Sequence, residues 1–113
     1  MLTITQRDAG GVVVFDLVGQ IDGGPESEKI QEMIKEHLEK GSKKFLLNLA
    51  DVKWLNSLGA GIMIASYVSA KRDDAIMKVC AVSDRVGLVL KTSGLIPEVF
   101  DTFETENEAL ASF

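Results

Sequence analysis

Hydrophobic and polar positions alternate over Leu2 to Arg7 and again over Val12 to Val18, the two-residue period of strands with one face turned to a core. Between them, Asp8-Ala9-Gly10-Gly11 has the residue types of a hairpin loop, so the two strands are expected to pair antiparallel. After Gly19-Gln20-Ile21-Asp22-Gly23-Gly24 the period changes. Pro25 suits a first helical position, and Glu26 and Glu28 suit the positive end of a helix. Ile30, Met33, Ile34, His37 and Leu38 then fall at i, i+3, i+4, i+7 and i+8, one buried stripe of a helix that Gly41 stops. Lys44 to Leu49 is a short apolar run with the length and position of a buried parallel strand. A second helix from Leu58 to about Arg72, a strand from Ile76 to Val82, a third helix opened by Ser83-Asp84, a short strand near Val99-Phe100 and a last helix from Glu106 to Ala111 continue the alternation.

This order predicts an α/β fold in a single domain, residues 1–113: a mixed sheet of about five strands, made of an N-terminal antiparallel hairpin and then parallel β-α units, with helices packed on it. In such sheets, binding sites gather at the carboxyl ends of the parallel strands, where loops feed helix N-termini. Those loops are Asp22-Gly23-Gly24, Asn56-Ser57 and Ser83-Asp84, expected to share one edge with Ser57 in the middle position. Ser57 suits an N-cap that accepts from Ala60, a task that Asn56 is equally equipped to perform. Gly59, Ala60, Gly61 and Ala65 are expected to let the second helix approach the sheet, with Ile62, Met63 and Val68 supplying packing volume.

Charge narrows the partners. Twelve Lys and Arg against 17 Asp and Glu give a formal net charge of -5, and the only basic clusters are the pairs Lys43-Lys44 and Lys71-Arg72. Such a chain is repelled by phosphate backbones, so no nucleic-acid partner is expected. The longest apolar run, around Leu58 to Ala65, falls far short of the roughly 18 residues of a membrane span, and the opening residues lack the signal-peptide pattern. A cytoplasmic protein without membrane insertion is expected. Cys80 lies in a core-strand setting, which makes a thiol inert, and one Cys with one His cannot assemble a nitrogen- or sulfur-rich metal site. No metal or other cofactor is expected. Gly59-Ala60-Gly61 lacks the third glycine of a dinucleotide fingerprint, because Ile64 stands there. A nucleophilic role for Ser57 needs a base within reach, and the lone His37 belongs to another helix, so no catalytic residues are assigned.

Five segments in order carry a resemblance: Gly19-Gln20-Ile21-Asp22, Leu46-Leu47-Asn48-Leu49-Ala50-Asp51-Val52, Leu55-Asn56-Ser57-Leu58-Gly59-Ala60-Gly61, Ser93-Gly94-Leu95 and Glu108-Ala109-Leu110. Together they resemble a STAS domain, the family of bacterial anti-sigma factor antagonists. The family's switch segment usually reads Asp-Ser-Ser/Thr-Gly-Leu-Gly. The resemblance implies that Ser57 is phosphorylated by a partner that is both anti-sigma factor and serine kinase, that the unphosphorylated protein binds this kinase and frees the sigma factor, and that a serine phosphatase resets the cycle. It implies a non-enzymatic regulator of transcription with a docking surface made of Asp22, Gly23, Gly24, Asn56, Ser57, Leu58, Gly59, Ser83 and Asp84. Three positions depart from the pattern: Asn56 replaces the aspartate before the serine, Leu58 replaces the following Ser/Thr, and Asn48 stands where the strand commonly has an aspartate. Two other readings of the same loops are an unmodified STAS adaptor in a signalling complex or transport system, and a small-molecule or nucleotide binder using the amides of Gly23, Gly24 and Gly59.

Overall fold

The hairpin predicted by the alternation opens the computed structural model, which describes residues 1–113. Strand β1 (Leu2–Ala9) pairs antiparallel with β2 (Val12–Ile21) across the two-residue turn Gly10-Gly11. Helix α1 (Pro25–Glu39) follows, then β3 (Lys44–Leu55), α2 (Ser57–Arg72), β4 (Ile76–Cys80), α3 (Asp84–Thr92), β5 (Thr102–Phe103) and α4 (Glu106–Ala111). The five strands lie in sequence order, and every pair after the hairpin is parallel. Parallel neighbours joined by right-handed crossovers place their helices on one side of the sheet. Accordingly α1, α2 and α3 share one core, through Ile30, Ile34, Leu38, Ala60, Met63, Val86 and Leu90. The opposite face has a smaller cluster of Val12, Val14, Leu46 and Cys80 beneath Ala109 of α4.

The apolar stripe of α1 appears as expected, with Ile30, Ile34 and Leu38 buried and Met33 and His37 half-buried. Its histidine bonds through Nε2 to Gln6 Oε1 at 2.9 Å and meets Phe15 and Phe45 edge-on, a packing role. In α2 the expectation holds for Gly59, Ala60 and Met63, which are buried. It fails for Gly61, whose missing side chain would meet nothing, and for Val68, 40% exposed: both point to solvent.

Three strands differ from the sequence reading. The third runs to Leu55 rather than stopping at Leu49, because Val52 and Leu55 are buried and Asp51–Leu55 continue to pair with Val18–Ile21. Register slips between Asp16 and Val18 and between Gly19 and Gln20 break the two-residue period there, which hides the strand from pattern analysis. The fourth ends at Cys80 rather than Val82, where Ala81 turns the chain off the sheet with φ 58°. The fifth is Thr102–Phe103 rather than Val99-Phe100; the amides of Val99 and Phe100 bond instead to the carbonyl of Leu95, and Phe100 plugs the helix-side core.

Helix α4, six residues long, is too short to persist without tertiary contacts. Polar staples hold it at both ends. At its start, Glu106 binds Arg7 and accepts from Asn48 Nδ2 at 3.3 Å, while Arg7 Nε also meets Asp16 at 2.6 Å. At its end, the Lys78 ammonium donates to the Ser112 carbonyl at 2.9 Å and lies over the rings of Phe103 and Phe113. Cys80 is sealed beneath, and burial pushes its thiol up to about 11, as an inert core residue requires.

Candidate functional site

β2 and β3 end level with each other, Ile21 opposite Leu55, so the loop after β2 and the start of α2 meet on one rim of the domain. Gly59 makes the meeting close: a Cβ there would overlap the Ile21 carbonyl oxygen, so only glycine lets the first turn of α2 sit against the end of β2. On the other side of the junction, Gly23 has φ +87°, and a Cβ on it would stand 2.5 Å from Leu58 Cβ. Loop backbone and helix start are in direct contact.

Hydrogen bonds complete the junction. Ser27, in the first turn of α1 and fully buried, accepts from the amides of Asp22 at 3.1 Å and Gly23 at 3.2 Å. Asp22 Oδ1 accepts from the amide of Gly24 at 2.9 Å, and this bond holds the Asp22 carboxyl below the usual carboxylate range. Asn56 is the N-cap of α2. Its Oδ1 accepts from the Gly59 amide at 2.8 Å while its Nδ2 donates to the Asp22 carbonyl at 3.1 Å, and its own carbonyl takes the Ala60 amide at 2.9 Å. The capping task that suited either residue therefore belongs to Asn56.

Ser57 is consequently released from that task. It occupies the first helical position, exposed, and its hydroxyl makes no hydrogen bond within the protein. Leu58 beside it is 68% exposed. A hydroxyl at the positive end of a helix, next to amides without intrahelical partners, can carry an anion with little harm to its own domain.

Ser83 and Asp84 open the next helix, α3. β4 ends at Cys80, opposite Asn48, and β3 continues from Leu49 to Leu55, an extension of roughly 20 Å. Ser83 serves as the N-cap of α3, its hydroxyl accepting from the Val86 amide at 3.2 Å, and Ser83 and Arg85 line a cavity with Ala50, Asp51, Val52 and Lys53 of β3. The Asp22 loop and the start of α2 thus meet on one edge. Within it, Gly59 is buried and shapes the backbone, whereas Ser57 and Leu58 face outward. The amides of Gly23, Gly24 and Gly59 all have internal acceptors, which removes the donors that a nucleotide-binding reading needs. Sequence reasoning missed Ser27; a serine two positions after Pro25 was its available signal, since hydroxyls at helix starts often bind nearby amides.

Comparison with known proteins agrees with this architecture. Residues 3–109 match the family model for the STAS domain. The chain belongs to the STAS domain family. Among curated relatives, the anti-sigma-B factor antagonist of Staphylococcus aureus is 24% identical over 67 residues, 59% of this chain and 62% of that protein, so the match covers less than two thirds of the relative. Two solved structures show the breadth of the fold. The Bacillus cell fate determinant SpoIIAA in its phosphorylated form superposes with a TM-score of 0.75 at 20% identity, covering 97% of this chain and 98% of that one. A sulfate transporter family protein from Wolinella succinogenes gives 0.80 at 22%, covering 92% and 85%. The STAS domain described here has no helix long and apolar enough to cross a membrane.

Proposed function

We propose that this STAS domain is a cytoplasmic, non-enzymatic anti-sigma factor antagonist that docks an anti-sigma serine kinase through the rim around Ser57, and that phosphorylation of Ser57 ends the docking. The observation that carries the reading is the division of labour at the start of α2: Asn56 performs the capping, and the adjacent serine is left exposed with an unoccupied hydroxyl beside exposed Leu58. A phosphate adds roughly -1.5 to -2 charges. The helix start tolerates the group, but a packed and desolvated partner surface does not unless it supplies matching cations. Switching then needs no rearrangement of the fold. The names of the Staphylococcus aureus relative and of the phosphorylated Bacillus structure support the same reading.

The test is direct. The protein is incubated with ATP and the anti-sigma serine kinase of the same organism, digested and weighed. One phosphate on the peptide containing Ser57, absent from a Ser57→Ala variant, is expected. Phosphate elsewhere, or none, contradicts the assignment. A serine phosphatase is the expected partner for resetting the cycle.

A further inference from the structure

We propose that Asn56 is the positioning residue of this rim: its side-chain NH2 locks the Asp22 loop to the start of α2, so that a docking kinase meets loop and serine as one rigid surface. The kinase arm of this inference rests on Ser57 being the phosphoacceptor. The locking arm rests on hydrogen-bond geometry alone.

The family pattern carries aspartate at this position, and the helix itself gives no reason to avoid it. A carboxylate caps a first-turn amide as well as a carboxamide does and complements the positive helix end better. An ionised carboxylate, however, only accepts hydrogen bonds. Of the side-chain bonds made by Asn56, the one from Gly59 survives replacement by aspartate, and the one to the Asp22 carbonyl does not. At 3.1 Å, a carboxylate oxygen would instead face a carbonyl oxygen, lone pair against lone pair.

The lost bond has a specific place in the molecule. The Asp22 loop is tied internally and to α1 through Ser27 and the Asp22 carboxylate. Asn56 Nδ2 is its hydrogen-bonded tie to α2. Gly23 packs on Leu58 across the same junction, so loosening the tie frees the loop against the residue that follows Ser57. The carboxamide therefore does two jobs with its two atoms, one for the helix and one for the rim.

Asn56→Asp separates these jobs, because it retains the cap and removes the donor. Wild type and variant are compared by thermal unfolding, by amide hydrogen exchange followed by NMR, and as substrates of the anti-sigma serine kinase with ATP. The variant is expected to fold and to keep the protection of the central β2 and β3 amides, while the amides of Gly23 and Gly24 exchange about tenfold faster. KM for the protein substrate is expected to rise about tenfold with kcat within about twofold, the pattern of weakened binding rather than impaired chemistry. Unchanged exchange at Gly23 and Gly24 overturns the lock, whatever the kinase does. Faster exchange with unchanged KM overturns the positioning role. A variant that fails to fold overturns the separation of cap and tie. Should the wild type not accept phosphate at Ser57, the proposed function falls, and the exchange measurement still decides whether Asn56 locks the loop.

Discussion

At the scale of single residues, the rim depends on atoms that composition does not reveal. Gly59 can be replaced by nothing larger without displacing α2 from the Ile21 carbonyl. Gly59→Ala is expected to cost about 2–3 kcal/mol by overpacking, read as a lowered urea midpoint with an unchanged slope. Asn48 explains another departure from the family pattern. Its Nδ2 donates to Glu106, already beside Asp16, and a single arginine serves both carboxylates. Asn48→Asp removes a donor and adds a third negative charge, so a loss of about 1–2 kcal/mol at pH 7 is expected in the same urea assay. An unaffected stability would mean that the network tolerates the extra charge. The position of Ser57 was legible from the chain, since Asn-Ser before a glycine-rich helix is a helix-start pattern. The two-sided role of Asn56 was not, because its second partner, the Asp22 carbonyl, lies 34 residues away and is a backbone atom of no distinctive type.

At the scale of elements, periodicity worked wherever an element buries one continuous face. The stripe of α1 and the alternation of β1 and β2 are of this kind. It failed at the second half of β3, where register slips interrupt the alternation, and at β5, where a two-residue strand leaves no period to detect. Helix α4 was legible from its composition, yet its attachment is tertiary: Arg7 from β1 and Lys78 from β4 hold its two ends. The attachment has a pH signature. Hydrogen bonds from Arg7 lower the pKa of Asp16 and of Glu106 from the ordinary carboxylate range, so both bind protons less readily folded than unfolded. Their contribution is complete above the unfolded pKa values, about 4, and is lost as pH falls through the lower folded values. Stability from urea titrations is therefore expected to decline below about pH 4. Arg7→Met flattens that acid limb, whereas an acid limb identical to wild type would place the acid sensitivity elsewhere.

At the scale of the whole molecule, sequential strand order puts three helices on one face and leaves α4 on the other. The fold class followed from the order of elements. The levels of the strand ends did not, since they depend on how far β3 outruns β4. What the domain displays at its rim is a free hydroxyl beside exposed Leu58. The most direct test is calorimetric titration of the anti-sigma serine kinase with the unmodified protein, the protein phosphorylated on Ser57, and Ser57→Ala. Ser57→Ala is expected to bind as the unmodified protein does, and phosphorylation is expected to weaken binding at least about 100-fold, close to 2.7 kcal/mol. Equal affinities for the phosphorylated and unmodified forms, within about threefold, would contradict the account.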